Sequence, residues 1–133
     1  MGLIATYVIA SKKPKTRATY RTIALTHQRD APLKRFHAGA TVIRAGRGSI
    51  VLVQPTKKED ALHAFLKHRG DGAIFGVTIR VAHIAKTKAL LDRALGAPTP
   101  IEEGLLGKSL WIAPKHAFGV WVELTEVLPT PHP

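Results

Sequence analysis

The sequence predicts an α+β fold: two βαβββ-like modules forming a cupped, mostly antiparallel sheet with helices outside. Three observations predict it. Short runs rich in β-branched and aromatic residues follow one another in the order strand, helix, strand, strand. That order occurs twice along the chain. A helix-forming stretch stopped by glycine separates the two copies. With 133 residues and 45% apolar content, the chain has material for one core. The expected layout is therefore a single domain spanning residues 1–133. It holds module one at 1–56, a linking helix at 57–70, module two at 71–128 and a proline-rich tail at 129–133.

Module one opens with Leu3-Ile-Ala-Thr-Tyr-Val-Ile-Ala10, a strand by its β-branched and aromatic content. Pro14 fits the first turn of a helix running to about Leu25, with Ser11 nearby as a cap. Strands are expected from Ala38 to Arg44 and from Ser49 to Gln54, joined by a tight turn at Gly46-Arg47-Gly48. Residues 27–37 carry a weaker strand signal. Lys57 to Arg69 reads as the linking helix, stopped by Gly70.

Module two repeats the order. Ala73 to Val81 is a strand, and Ile84 to Leu95 is an amphipathic helix ended by Gly96 and Pro98. Strands follow at Ser109 to Ala113 and Val120 to Val127. In the last of these, alternation sends Val120, Val122 and Leu124 to one face and Trp121, Glu123 and Thr125 to the other. A carboxylate between an indole and a threonine on a concave face is a candidate base or ligand. Duplicated units of this kind leave a concave cup in which a ligand would bind.

Composition narrows the chemistry. There is no cysteine, which excludes disulfides, thiolate catalysis and cysteine-ligated metal centres. Residues 3–10 are apolar but too short to span a bilayer, and no convincing cleavage site follows, so the cytoplasm is the default compartment. The net charge of +11 is unevenly placed: residues 1–47 hold ten Lys and Arg against one acid, Asp30. Such a basic half suggests an anionic partner, or simply a solvated cationic face. A nucleic-acid partner is not expected, since stacking aromatics are scarce there and no nucleic-acid motif occurs. No Gly-x-Ser-x-Gly elbow, dinucleotide fingerprint or phosphate loop is present.

Several stretches carry a resemblance. Ser49-Ile-Val-Leu-Val-Gln-Pro55, Ala64-Phe-Leu-Lys-His-Arg-Gly70 and Ile74-Phe-Gly-Val-Thr-Ile-Arg-Val81 are followed by Pro114-Lys-His-Ala-Phe-Gly-Val-Trp-Val-Glu-Leu124. Together they resemble the vicinal oxygen chelate superfamily, whose second module ends in Pro-Lys-x-x-Gly-Val-x-x-Glu-Leu; Phe118 is one residue more than that spacing. The closest likeness is to methylmalonyl-CoA epimerase and glyoxalase-like members. The resemblance implies a cup with four metal ligands at its corners, which map onto Ile4, Val51, Gly76 and Glu123. Only Glu123 of these can bind a metal. No histidine occurs before His27 or between His68 and His83, so neither opening strand offers imidazole in any register. The expectation is no metal and no cofactor.

What remains is a proton-transfer site. Glu123 is the candidate base, its pKa raised by apolar walls, and Arg80 the candidate anion or enolate stabiliser, or else the ion-pair partner of Glu123. Trp121 is a candidate floor for a flat ligand, and Thr6 and Thr78 candidate groups for orienting a carbonyl. Gly76 leaves room for a bulky ligand, and His116 could reach the cup mouth. Lys12, Lys13, Lys15 and Arg17 could contact phosphates or begin a helix. Three readings follow. One is a metal-independent enzyme of the resembled type, acting on a small carbonyl-containing or polyketide-like compound as an isomerase, epimerase, cyclase or lyase. The second is a non-catalytic binder, as in the family's antibiotic-resistance members. The third is a nucleic-acid-associated protein. A metal-dependent glyoxalase or epimerase would return if the corner mapping were wrong. The expected partners are a small-molecule ligand, possibly anionic, and a second copy of the chain in a homodimer.

Overall fold

Buried apolar residues on both faces of the sheet set the architecture. The computed structural model describes residues 3–9, 28–55, 61–70, 73–117 and 119–127. Module one contributes β1 (Leu3–Ile9), β2 (Gln28–Leu33), β3 (Ala38–Ala45) and β4 (Gly48–Pro55). Helix α1 (Ala61–Arg69) follows. Module two contributes β5 (Ile74–Arg80), helix α2 (Ile84–Leu95), β6 (Glu102–Glu103), β7 (Lys108–Ile112) and β8 (Trp121–Glu126). The expected helix from Pro14 to Leu25, the basic cluster from Lys12 to Arg17 and the proline tail lie outside the described residues.

The eight strands form one curled sheet in the order β2-β3-β4-β1-β5-β8-β7-β6. Within each module the first strand lies parallel to the last, β1 beside β4 and β5 beside β8. The modules meet where β1 runs antiparallel to β5. The cup is therefore built within one chain. The weaker signal at 27–37 resolves into β2 (Gln28–Leu33), and the two-residue β6 takes the corresponding edge position in module two.

Local chemistry fixes the elements. Gly46 (φ 62°) closes the β3–β4 turn, and Gly96 (φ 68°) ends α2 in the left-handed conformation. Helix α2 starts without a side-chain cap from His83. Instead Glu126 on β8 accepts the Ile84 amide at 2.7 Å, so a distant strand caps the helix. The outer face of module two packs Val81, Ile84 and Leu110 with Leu91 and Leu124 under α2. The outer face of module one buries Val8, Ile43 and Leu52.

The inner face holds the largest apolar cluster. Ala5, Tyr7, Val42, Val51, Val53 and Trp111 meet there with Phe36 and Phe75. Helix α1 adds Leu62 and Phe65 to this inner cluster. A register irregularity between Tyr7 and Val8 against β5 lets Phe75 pack on Tyr7 (5.5 Å between rings), although Gly76 is already opposite Tyr7.

Candidate active site

Glu123 sits where three strands converge on the inner face. On β8 it lies opposite Thr78 of β5 and opposite Trp111 of β7. Tyr7 of β1 reaches it from the far side of β5. The Tyr7 hydroxyl donates to Glu123 Oε1 at 2.6 Å, and the Thr78 hydroxyl donates to the same oxygen at 2.7 Å. All three side chains are fully buried. The second carboxylate oxygen, Oε2, is buried with no hydrogen-bond partner among the described residues. Beside it Ser109 and Thr125 share a hydrogen bond of 2.9 Å.

Burial pushes the Tyr7 phenol far above its ordinary pKa of 10.0, and the neighbouring charge and hydrogen bond of Glu123 push it the same way. Tyr7 is therefore a fixed proton donor to Oε1. One carboxylate oxygen is doubly held while the other is bare, so a proton could be received at Oε2 with the side chain immobilised through Oε1.

Aromatic rings wall the group in. Trp111 lies 5.4 Å from Tyr7 and 5.1 Å from Phe36, and Trp121 lies 4.9 Å from Phe36. The roof is the turn from Gly104 to Gly107. A Cβ on Gly104 would stand 2.7 Å from Glu123 Oε2 and 2.2 Å from Ser109 Oγ, so only a glycine lets backbone come so close to the carboxylate.

The structure places Glu123, Thr78, Gly76 and Trp121 on neighbouring positions of β5 and β8 and leaves the other candidates apart. Thr6 pairs with Ile50 and Val77, so it points to the outer face, and Ile4 shares that face. The inward residues of β1 are Ala5 and Tyr7, which moves the β1 corner from Ile4 to Tyr7. Arg80 is exposed at the end of β5, where its long side chain keeps its charge in water, and Glu123 is held by Tyr7 and Thr78 instead. His116 is exposed on the turn Pro114–His116. The room at Gly76 is used by Trp121, whose Cβ would lie 3.3 Å from a Cβ there, and not by a ligand. Sequence reasoning missed Tyr7 as the partner. Its only signal was two-residue alternation with Ala5, which the apolar Ile4 and Val8 on the other face obscured.

A cavity of about 860 Å³ lies elsewhere, along β2–β4, lined by Pro32, Leu33, Gly39, Thr41 and Leu52 among others. It does not include Glu123, Tyr7 or Thr78. This cavity and the buried carboxylate are thus separate.

Among the described residues no three His, Asp or Glu side chains come together. Around Glu123 the donors are one carboxylate, a phenol that keeps its proton and a threonine hydroxyl. They do not fit a metal centre.

Solved structures match over nearly the whole chain. The methylmalonyl-CoA epimerase of Mycobacterium tuberculosis matches with a TM-score of 0.80 at 21% identity, over 96% of this chain and 89% of that one. A variant of the Streptomyces coelicolor methylmalonyl-CoA epimerase, in complex with 2-nitronate-propionyl-CoA, matches with a TM-score of 0.81 at 17% identity, over 100% and 99%. The chain has the vicinal oxygen chelate fold. A hypothetical protein from Bacillus halodurans shares that fold as well, with a TM-score of 0.80 at 18% identity over 99% and 98%. No family model matches the sequence, and no curated protein matches it. The vicinal oxygen chelate resemblance read from the motifs around Glu123 thus holds at the level of fold. Among the described residues no helix is long and apolar enough to cross a membrane.

Proposed function

We propose that the protein is a metal-independent enzyme of the vicinal oxygen chelate type. It acts by proton transfer on a small carbonyl-containing compound, with Glu123 Oε2 as the base. One observation carries this reading: a fully buried carboxylate holds one oxygen in two hydrogen bonds and leaves the other bare. Leaving a buried acceptor unpaired costs about 1–3 kcal/mol, more for a charged one. Packing alone would be better served by an apolar side chain of similar volume, so the bare oxygen points to use.

In the reaction, the substrate's acidic C–H would lie against Oε2 and its proton would pass there. Tyr7 and Thr78 keep Oε1 fixed, and Trp111 and Trp121 position the flat conjugated system that forms. Isomerisation, epimerisation, cyclisation and elimination all begin with this step. An epimerase that shares the fold and is seen with a nitronate ligand supports the choice. Arg80, exposed on β5, has no part in this step.

The test reads the step directly. A panel of small oxo acids and thioesters is incubated with the protein in deuterated water, and deuterium uptake at carbon is followed by proton NMR. Uptake is expected in the wild type, with a loss of about 100-fold or more in Glu123→Gln. Retained exchange in that variant removes Glu123 from the role.

Binding without turnover is the second reading, favoured by the complete enclosure of the carboxylate under Gly104. It predicts ligand binding that survives Glu123→Gln within about tenfold and no deuterium uptake. The homodimer expected from the sequence belongs to the same proposal.

A further inference from the structure

The turn over Glu123 is held shut from the opposite rim of the cup. Strands β2 and β6 are the two edges of the sheet, and the sheet curls so that they face each other across the mouth. Strand β6 is tied to the sheet by only two residue pairs, Glu102 with Ser109 and Glu103 with Lys108. Past it, the Gly104 amide donates to the Gly107 carbonyl at 2.8 Å, closing the turn. Leu105 and Leu106, at its tip, pack against the inner aromatic cluster. From the opposite rim Arg29 donates to the Leu105 carbonyl at 2.8 Å, and Arg35 pairs with Glu102 at 2.7 Å.

These two contacts bridge the mouth and both are exposed to water. Exposed pairs of this kind are weak and screened by salt. A carbonyl and a carboxylate therefore occupy two guanidinium groups at the mouth of a cup whose central carboxylate is fully buried. Arg35 also lies 6.0 Å from the centre of the Trp121 ring, at the start of the aromatic wall that leads inward.

We propose that Glu102–Gly107 is a cover over the Glu123 carboxylate. Arg29 and Arg35, which latch it across the mouth, bind the carboxylate or phosphate end of the ligand when it lifts. The ligand's anionic group replaces Glu102 on Arg35 and the Leu105 carbonyl on Arg29. Guanidinium groups suit this exchange because their paired donors match either anion. The anion-binding part rests on the reading of Glu123 as a working group; the cover itself does not.

The chain's two tryptophans, Trp111 and Trp121, both line the cup, so quenching of their fluorescence by acrylamide reports opening. Glu102→Gln weakens the latch while keeping both arginines. It should raise the open population about 1.4- to 5-fold, the range expected for losing an exposed ion pair, and raise quenching with it. Inorganic phosphate should raise quenching in the wild type beyond sodium chloride at equal ionic strength, and should have no such effect in Arg29→Gln/Arg35→Gln. Unchanged quenching in Glu102→Gln overturns the cover. A phosphate effect no larger than that of chloride, or one that persists in the double variant, overturns the anion site. Neither readout uses Glu123 chemistry, so failed deuterium exchange with an intact latch counts against the proposed function alone.

Discussion

Replacing Tyr7 by Phe tests how the central carboxylate is held. The substitution removes one donor, the phenol at 2.6 Å from Glu123 Oε1, and keeps the ring on Phe75 and Trp111. No cavity opens, so the loss is that of a buried hydrogen bond to a charged group, about 1.5–3 kcal/mol. For a chain of this length each kcal/mol moves Tm by about 3–6 °C, so the melt should fall by about 5–18 °C. The pH dependence is more diagnostic. Folded Tyr7 has its pKa raised above the ordinary 10.0, chiefly by burial and then by Glu123, whereas the unfolded chain releases this proton near pH 10. The contribution of Tyr7 is therefore complete below pH 10 and falls as pH rises, by about 1.4 kcal/mol per unit once well above it. Denaturant unfolding of wild type and variant at pH 8, 10 and 11 gives the gap directly, with all other titrating groups cancelling. The gap should shrink by about 1.4 kcal/mol between pH 8 and 11. A gap under about 0.5 kcal/mol at pH 8 would refute the hydrogen bond, and a gap that holds constant to pH 11 would refute the burial of the phenol.

Glu126→Ala should cost about 1 kcal/mol and speed amide exchange in the first turn of α2, because Glu126 supplies a side-chain acceptor at that helix start where His83 supplies none. Exchange unchanged at Ile84 would show the cap to be idle. Protein purified without chelator should carry no stoichiometric divalent metal by elemental analysis and should melt at the same temperature with and without EDTA. Near-stoichiometric metal and a melt lowered by EDTA would overturn the metal-independent proposal and revive a metal-dependent epimerase or glyoxalase-like activity.

Much of this molecule is legible from local pattern. Helix α2 spans the same residues, Ile84–Leu95, that the amphipathic stripe and Gly96 mark out. The alternation of β8 places Trp121, Glu123 and Thr125 on one face, and Thr125 and Glu123 are indeed buried together. Strand β1 resists the same treatment. Its two faces, Ile4-Thr6-Val8 and Ala5-Tyr7, are both largely apolar, with Val8 buried on one side and Ala5 and Tyr7 on the other, so period two cannot say which faces the cup. That ambiguity put Thr6 in the site and left Tyr7 out of it.

Sequence by itself determined the repeated strand order, the end of α2 at Gly96 and the carboxylate Glu123 on the inner face. These follow from periodicities and caps that act within a few residues. Only the tertiary structure decided that Tyr7, 116 positions away, donates to that carboxylate, that Arg80 stays in water, and that two arginines clasp the opposite rim. Each depends on strand register and sheet curl, which are set by packing over the whole cup and leave no mark in any local window of the chain.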